Sequence, residues 1–155
     1  TDTTVEVKIL GENHDSKLNF TLAALAHDCM EAIGAPRFTE EEKAYARQVA
    51  QAVGLPGVEG ELDESILPVD GTIKKDNGSS DVADVSQIVP VVNINTACYG
   101  RKTPNHSWAV TVQADKPAAH RGMLFAAKTL ALMGTRLATE PTLLAAVRAE
   151  FDQAE

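Results

Sequence analysis

Five of the side chains between residues 81 and 120 stand out as candidate ligands for a transition metal. They are two carboxylates, one thiol and two imidazoles: Asp81, Asp84, Cys98, His106 and His120. Zinc accepts carboxylate, thiolate and imidazole ligands, so zinc is the first metal to consider. The spacings match none of the compact zinc motifs CxxC, HExxH or HxxxH. A metal site built from these residues would therefore need the fold to bring its ligands together.

His106 has the most informative surroundings of the four histidines. Pro104 and Asn105 predict a turn directly before it, and Ser107 and Trp108 open a predicted strand. A histidine in this place is a metal ligand, an acid or base, or an exposed turn residue. Spacing alone leaves these alternatives open.

The other histidines have simpler explanations. His14 lies in a polar loop, where exposure is expected. His27 lies beside Asp28 in a predicted helix and is expected at the surface. His120 stands near the start of a long helix, where packing or hydrogen bonding would explain it.

The carboxylates and the thiol also have structural explanations. Asp81 and Asp84 are three residues apart, so they share a face of a short predicted helix, whose positive end favours anions. Cys98 follows a predicted buried strand and suits a small apolar core position. No glycine-rich phosphate loop and no G-x-S-x-G nucleophile elbow occurs. The residues alone therefore do not make a complete active site.

Capping signals and apolar stripes predict helices. The first begins after Asn19 as N-cap and ends at Gly34, and the second begins with the capping box formed by Thr39 and Glu42 and ends at Gly54. A short helix is predicted within 79–88, capped by Ser79 or Ser80. A long helix follows at about 118–137, and a last helix is capped by Thr139 with Pro141 in its first turn.

The long helix is expected to present one apolar face to a core. The residues predicted to form that face are Met123, Leu124, Ala127, Leu130 and Ala131. Strands are predicted at 5–9 and 107–114 from alternation, and at 89–95 from a buried apolar run. The layout is an α/β domain with a thin sheet.

Composition narrows the class of protein. The net charge of -8 argues against nucleic acid or an anionic membrane as the main partner. No apolar run is long enough to span a membrane, and no signal peptide is evident, so a soluble protein is expected. Two cysteines are too few for a disulfide framework in 155 residues, which favours reduced thiols and a cytoplasmic location.

Three stretches in order resemble a known enzyme family: "GSSDVADVSQIVPVV", "TPNHSW" and "AHRGMLFAAKTLA". They are similar to the C-terminal part of the dinuclear zinc amidohydrolases of the aminoacylase and carboxypeptidase type. The nearest branch is that of the p-aminobenzoyl-glutamate hydrolases. "HDSKLNFTLAAL", "GAPRFTEEEKAYAR" and "EPTLLAAVRAEF" extend the resemblance over nearly the whole chain.

The resemblance implies an architecture. Residues 1–12 would hold the last strand of an α+β lid and dimerisation domain, and 13–155 the C-terminal portion of a zinc-peptidase-like α/β catalytic domain. A chain separated from a larger one would account for the thin sheet and for a start at Thr1. Removal of an initiator methionine would also account for that start.

The resemblance also implies roles for residues. His106 matches the last metal ligand, although Asn105 stands where the family more often has glycine. Asn19 matches an asparagine that reaches substrate, with "KLN" replacing proline-asparagine, and its alternative is the helix cap. Asp81 and Asp84 match a stretch beside the metal site and would fix loops around it. The general-base glutamate and the remaining ligands belong to upstream segments, so no catalytic residue is expected in this chain.

The function predicted from these points is the C-terminal piece of a metal-dependent amidohydrolase. It would cleave the amide of an N-acyl amino acid such as an aroyl-glutamate, using two zinc ions, with manganese or nickel as alternatives. The expected partners are the N-terminal part of the enzyme or a companion subunit, and a second copy through the absent lid. Alone the chain would be inactive. The alternative is a non-catalytic interaction module.

Overall fold

Helices are the regular elements of the part of the chain that the structure describes. The computed structural model describes residues 2–55, 61–73, 78 and 80–154. Within these ranges it contains the helices α1 (Phe20–Ile33), α2 (Glu40–Ala52), α3 (Val82–Val85), α4 (Trp108–Ala114), α5 (Pro117–Thr139) and α6 (Pro141–Gln153). None of the described helices is long and apolar enough to cross a membrane.

The predicted α/β class is wrong for this structure, because the described residues form no strand. In the predicted strand at 5–9, Val5, Val7 and Ile9 are 87%, 81% and 70% exposed, so neither face is buried. In the predicted strand at 89–95, Val92 and Ile94 pack against the core. Neither an alternating pattern nor an apolar run supplies the neighbouring strand that a sheet needs.

The predicted strand at 107–114 is α4 instead. Ala109 and Gln113 are four residues apart, and both are buried on one face of this helix. The hydroxyl of Tyr45 in α2 donates to the carbonyl oxygen of Val112 at 2.9 Å. The β-branched residues of this stretch favour a strand, but packing of α4 against α2 and α5 overrides that weak preference.

α1 begins where the sequence predicts, and its first turn is tied to α6. Asn19 Oδ1 accepts a hydrogen bond from Leu22 N at 2.8 Å. The carboxylate of Glu150 accepts from Phe20 N at 2.6 Å and from Thr21 N at 2.8 Å. Two side chains, one of them from α6, therefore satisfy N–H groups that have no partner within a helix.

The capping box predicted for α2 is confirmed. Glu42 N donates to Thr39 Oγ1 at 3.2 Å, and Thr39 N donates to Glu42 Oε2 at 2.7 Å. Gly54, two residues after the last helical residue, has a φ of 76°, a value that glycine adopts without strain.

The starts of α3 and α6 differ from the prediction. Asp81 is the N-cap of α3 and makes no capping bond with its side chain, while Val82 N donates to Ser80 Oγ at 3.3 Å. Ser79 lies outside the described residues. The N-cap of α6 is Glu140, because α5 runs through Thr139, whose hydroxyl donates to the Thr135 carbonyl at 2.8 Å.

The main core lies where α1, α5 and α6 meet. Its buried residues are Leu22, Leu25, Ala26, Cys29, Met133 and Val147. A smaller cluster joins the loop before α2, α2 itself, the 61–73 segment and the start of α5, through Phe38, Ala46, Leu62 and Ala118. The helix α5 therefore contributes to both clusters.

α5 buries a different face from the predicted one. Ala119, Phe125 and Met133 are buried, whereas Met123 and Leu130 of the predicted face are more than half exposed. The helix is apolar on both faces, so the pattern cannot decide which one meets the core. The other face remains an exposed apolar surface.

Gly122 brings α5 against the segment that leads to His106. A Cβ at Gly122 would collide with the carbonyl oxygen of Ala97 and lie 2.8 Å from the sulfur of Cys98. Only glycine permits this backbone approach. The predicted domain boundary between residues 12 and 13 stays a prediction.

Candidate functional site

His106 lies exposed in a turn, and the side chains around it are hydrogen-bonded. Ser107 Oγ donates to Pro104 O at 2.6 Å, and Tyr99 OH donates to Asn105 Oδ1 at 3.1 Å. His106 itself has a φ of 57°, in the left-handed region where histidine is enriched among residues other than glycine. The turn was predicted correctly, but the element that follows it is α4 rather than a strand.

A buried glutamine anchors the loop before this turn. Gln113 is 3% exposed, and its Oε1 accepts from Gly100 N at 3.0 Å. Its Nε2 donates to Ala109 O at 2.9 Å and lies 3.4 Å from Thr103 Oγ1. Thr103 Oγ1 in turn donates to Gly100 O at 2.6 Å. Sequence reasoning missed Gln113; the only signal was an amide within an apolar stretch.

Asp84 holds the loop that contains His14. The same carboxylate oxygen accepts from His14 N at 3.0 Å and lies 2.8 Å from His14 Nδ1. Two hydrogen bonds lower the pKa of Asp84. The larger effect comes from the backbone N–H of His14 and the smaller from its imidazole. The two residues are 70 positions apart, and no spacing in the sequence could have revealed the pair.

Two further bonds tie the same loop to α3 and the residues after it. Lys17 N donates to Ser86 Oγ at 2.8 Å, and Gln87 Nε2 donates to Asp15 O at 2.8 Å. The segment before α1 is thereby fixed against α3. Asp81 is exposed at the start of α3 and forms no side-chain cap.

Asn19 uses both ends of its amide within the fold. Its Oδ1 caps α1, and its Nδ2 donates to Val147 O of α6 at 2.9 Å, in a side chain that is 4% exposed. The helix-cap alternative is thus present in the structure. A contact between Asn19 and substrate stays a prediction.

Among the described residues, the predicted site residues do not form one hydrogen-bonded cluster. In the described part of the chain, no hydrogen bond or ion pair joins His106 to Asn19, Asp81 or Asp84. Nor do the described residues contain a group of three histidine, cysteine, aspartate or glutamate side chains able to hold a metal ion. These residues therefore do not fit a metal ion without ligands from elsewhere.

A groove of about 410 Å³ lies beside the His106 turn. Helix α1 and the segments 63–69 and 92–101 line it, with apolar surface from residues that include Met30 and Leu67. Tyr99 also lines the groove, and the same tyrosine bonds the residue before His106. The groove and the turn therefore share a side chain.

No protein-family model matches the chain, and no solved structure matches it. The chain is similar to a subunit of p-aminobenzoyl-glutamate hydrolase from Escherichia coli (strain K12), with 28% identity over 176 aligned residues. The alignment covers 99% of this chain and 37% of the relative, so the chain spans little more than a third of that protein's length. This likeness supports the resemblance to the p-aminobenzoyl-glutamate hydrolases and does not extend to the number or kind of metal ions.

Proposed function

We propose that this chain is part of a hydrolase that cleaves the amide bond of an N-acyl amino acid of the aroyl-glutamate type. The observation that carries the proposal is the alignment of 99% of the chain with a protein named as a subunit of p-aminobenzoyl-glutamate hydrolase. The substrate class comes from that name. The hydrogen-bonded turn around His106 is also consistent with the proposal, because it leaves an imidazole exposed to solvent.

The proposed hydrolase needs a companion polypeptide. This is the N-terminal part of the same enzyme or a separate subunit. Two observations support it: the relative's unmatched length, since only 37% of it aligns, and the exposed apolar face of α5. Exposed apolar surface of this kind often marks a site of association. The proposal also includes a homodimer formed through a lid domain. No contact among the described residues bears on that dimer.

In the proposed assembly, His106 provides one imidazole ligand to a zinc ion, with manganese or nickel as alternatives. The further ligands and a general-base carboxylate come from the companion, since the described residues of this chain form no metal-binding group. Asp84 acts at a distance by fixing the His14 loop. The buried amide of Asn19 is better suited to capping α1 than to contact with substrate.

A second candidate function is a non-catalytic module that binds the companion without completing an active site. The exposed apolar face of α5 favours it, because such a surface supports association without requiring catalysis. The two candidates differ in whether the assembly requires the His106 imidazole for hydrolysis.

The test is hydrolysis of p-aminobenzoyl-glutamate by the assembly purified through a tag on this chain. His106→Asn is the informative variant, because asparagine tolerates the left-handed backbone at this position. We expect a loss of at least about 100-fold in activity, together with reduced metal content. His120→Ala is the control, an exposed histidine on α5 whose loss should leave activity within about twofold. Full activity in His106→Asn contradicts the assigned role, and an intact but inactive wild-type assembly favours the module.

A further inference from the structure

Gln113 connects three points of the chain around the His106 turn through one buried side chain. Its Oε1 accepts from Gly100 N at 3.0 Å, and its Nε2 donates to Ala109 O at 2.9 Å and lies 3.4 Å from Thr103 Oγ1. Thr103 and Ala109 each lie three residues from His106, one before it and one after it. The amide therefore holds the chain on both sides of the turn.

The buried amide costs free energy that an apolar side chain would avoid at this position. Gln113 is 3% exposed, and transfer of an amide from water into an apolar interior is unfavourable unless its donors and acceptor are bonded. Methionine has a similar length and would fill the same space without needing partners. Fully bonded polar groups in an interior make a structure rigid and specify one arrangement. The glutamine is therefore explained better by what it holds than by packing.

The element that carries Gln113 is itself fixed. α4 packs against α2 and α5, and Tyr45 OH of α2 donates to Val112 O at 2.9 Å. Gly100, which Gln113 holds, is also buried. His106, by contrast, is exposed and has a left-handed φ of 57°. A rigid, hydrogen-bonded base under an exposed imidazole is the arrangement that holds a functional group in one geometry.

We propose that Gln113 is a positioning residue for His106, and that hydrolysis which depends on this imidazole also depends on the Gln113 amide. Gln113 is buried and acts through the turn rather than on substrate. The dependence of hydrolysis rests on the proposed function, whereas the order of the turn can be measured on the purified chain. Loss of a hydrogen-bonding group that orients a metal ligand costs about 10–100-fold in metal affinity or activity, which sets the expected size of the effect.

The order of the turn is tested by ¹⁵N relaxation of the purified chain carrying Gln113→Met. Order parameters of Asn105, His106 and Ser107 should be about 0.85 in wild type and below about 0.6 in the variant, the values of rigid and flexible backbone. Gln51→Met makes the same chemical change at an exposed position of α2 and should leave these order parameters unchanged. Wild-type order in the turn of Gln113→Met refutes the positioning role, whatever the assembly hydrolyses.

The dependence of hydrolysis is tested by a double-mutant cycle, with p-aminobenzoyl-glutamate as substrate and the assembly captured through a tag on this chain. Gln113→Met alone should lower kcat/KM at least about tenfold. In the His106→Asn background the same substitution should change kcat/KM by less than about twofold, because the imidazole through which the amide acts is already gone. A general defect of folding or assembly would lower hydrolysis by a similar factor in both backgrounds, and that result would overturn the inference.

Thr103→Val is the second variant, used if Gln113→Met does not keep the wild-type circular dichroism. Valine matches threonine in shape and removes the hydroxyl that donates to Gly100 O at 2.6 Å and lies beside the Gln113 amide. It should lower the order of the turn and reduce kcat/KM at least about threefold, and unchanged values would refute the inference. If the wild-type assembly shows no hydrolysis, the proposed function fails, while loss of turn order in either variant still supports Gln113 as the residue that fixes His106.

Discussion

Gly122→Ala tests the contact that fixes the segment before the His106 turn. The added methyl would meet the Ala97 carbonyl oxygen and would lie 2.8 Å from Cys98 Sγ. The first of these is backbone, so relief requires the helix or the segment to move. Real Cβ atoms essentially never approach other heavy atoms this closely.

The expected magnitude follows from two opposing effects. Alanine is favoured over glycine inside a helix by about 0.5–1 kcal/mol. Overpacking a close contact costs about 1–3 kcal/mol or more. The free energy of unfolding should therefore fall by roughly 1–2 kcal/mol, which corresponds to a drop in Tm of about 2–8 °C for a domain of this size.

Gly134→Ala is the matched control within the same helix, because nothing lies within 4 Å of the place that its Cβ would occupy. It should raise the free energy of unfolding by about 0.5–1 kcal/mol through helix propensity alone. Both variants are compared by urea unfolding followed by circular dichroism. Equal stabilisation by the two substitutions would show that α5 and residues 97–98 are not in contact, and this packing would be wrong.

Other predictions concern the junction of α1 and α6 and its response to pH. Asn19→Ala should lower stability by roughly 2–4 kcal/mol, because it removes the cap on Leu22 N and leaves the buried Val147 carbonyl without a donor. Asn19→Ser keeps a capping oxygen without burying a charge and should cost less; equal losses in urea unfolding would refute the role of the cap. Burial raises the pKa of Glu150, but hydrogen bonds from Thr21 and Phe20 outweigh it and the pKa is lowered overall. Its stabilisation is therefore present above the unfolded-state pKa of about 4.3 and is lost as pH falls through the lower folded-state pKa. The free energy of unfolding of Glu150→Gln should be lower than that of wild type at pH 7, and the difference should shrink in acid. A difference that is constant from pH 7 to pH 3 would contradict this.

Local signals predicted the starts of α1 and α2 correctly, because a cap depends on neighbours in sequence. The Asn19 cap and the Thr39 capping box each join residues three positions apart, and both form as expected. The starts of α3 and α6 are less well defined, since several polar residues near each start compete for the capping position.

The strands and the site depended on contacts that no local pattern contains. Alternation at 5–9 and an apolar run at 89–95 predicted strands, but the described residues supply no neighbouring strand. At 107–114 the burial of Ala109 and Gln113 selected a helix over the strand preference of β-branched residues. His14 and Asp84 are 70 positions apart, and no local pattern in the sequence links residues at that separation.

The most direct measurement is native mass spectrometry of the assembly purified through this chain, with metals counted and p-aminobenzoyl-glutamate hydrolysis assayed on the same sample. We expect a second polypeptide, bound metal that falls in His106→Asn, and hydrolysis that falls with it. A chain that remains alone, without metal and without hydrolysis, would contradict the central claim that it forms part of an amidohydrolase.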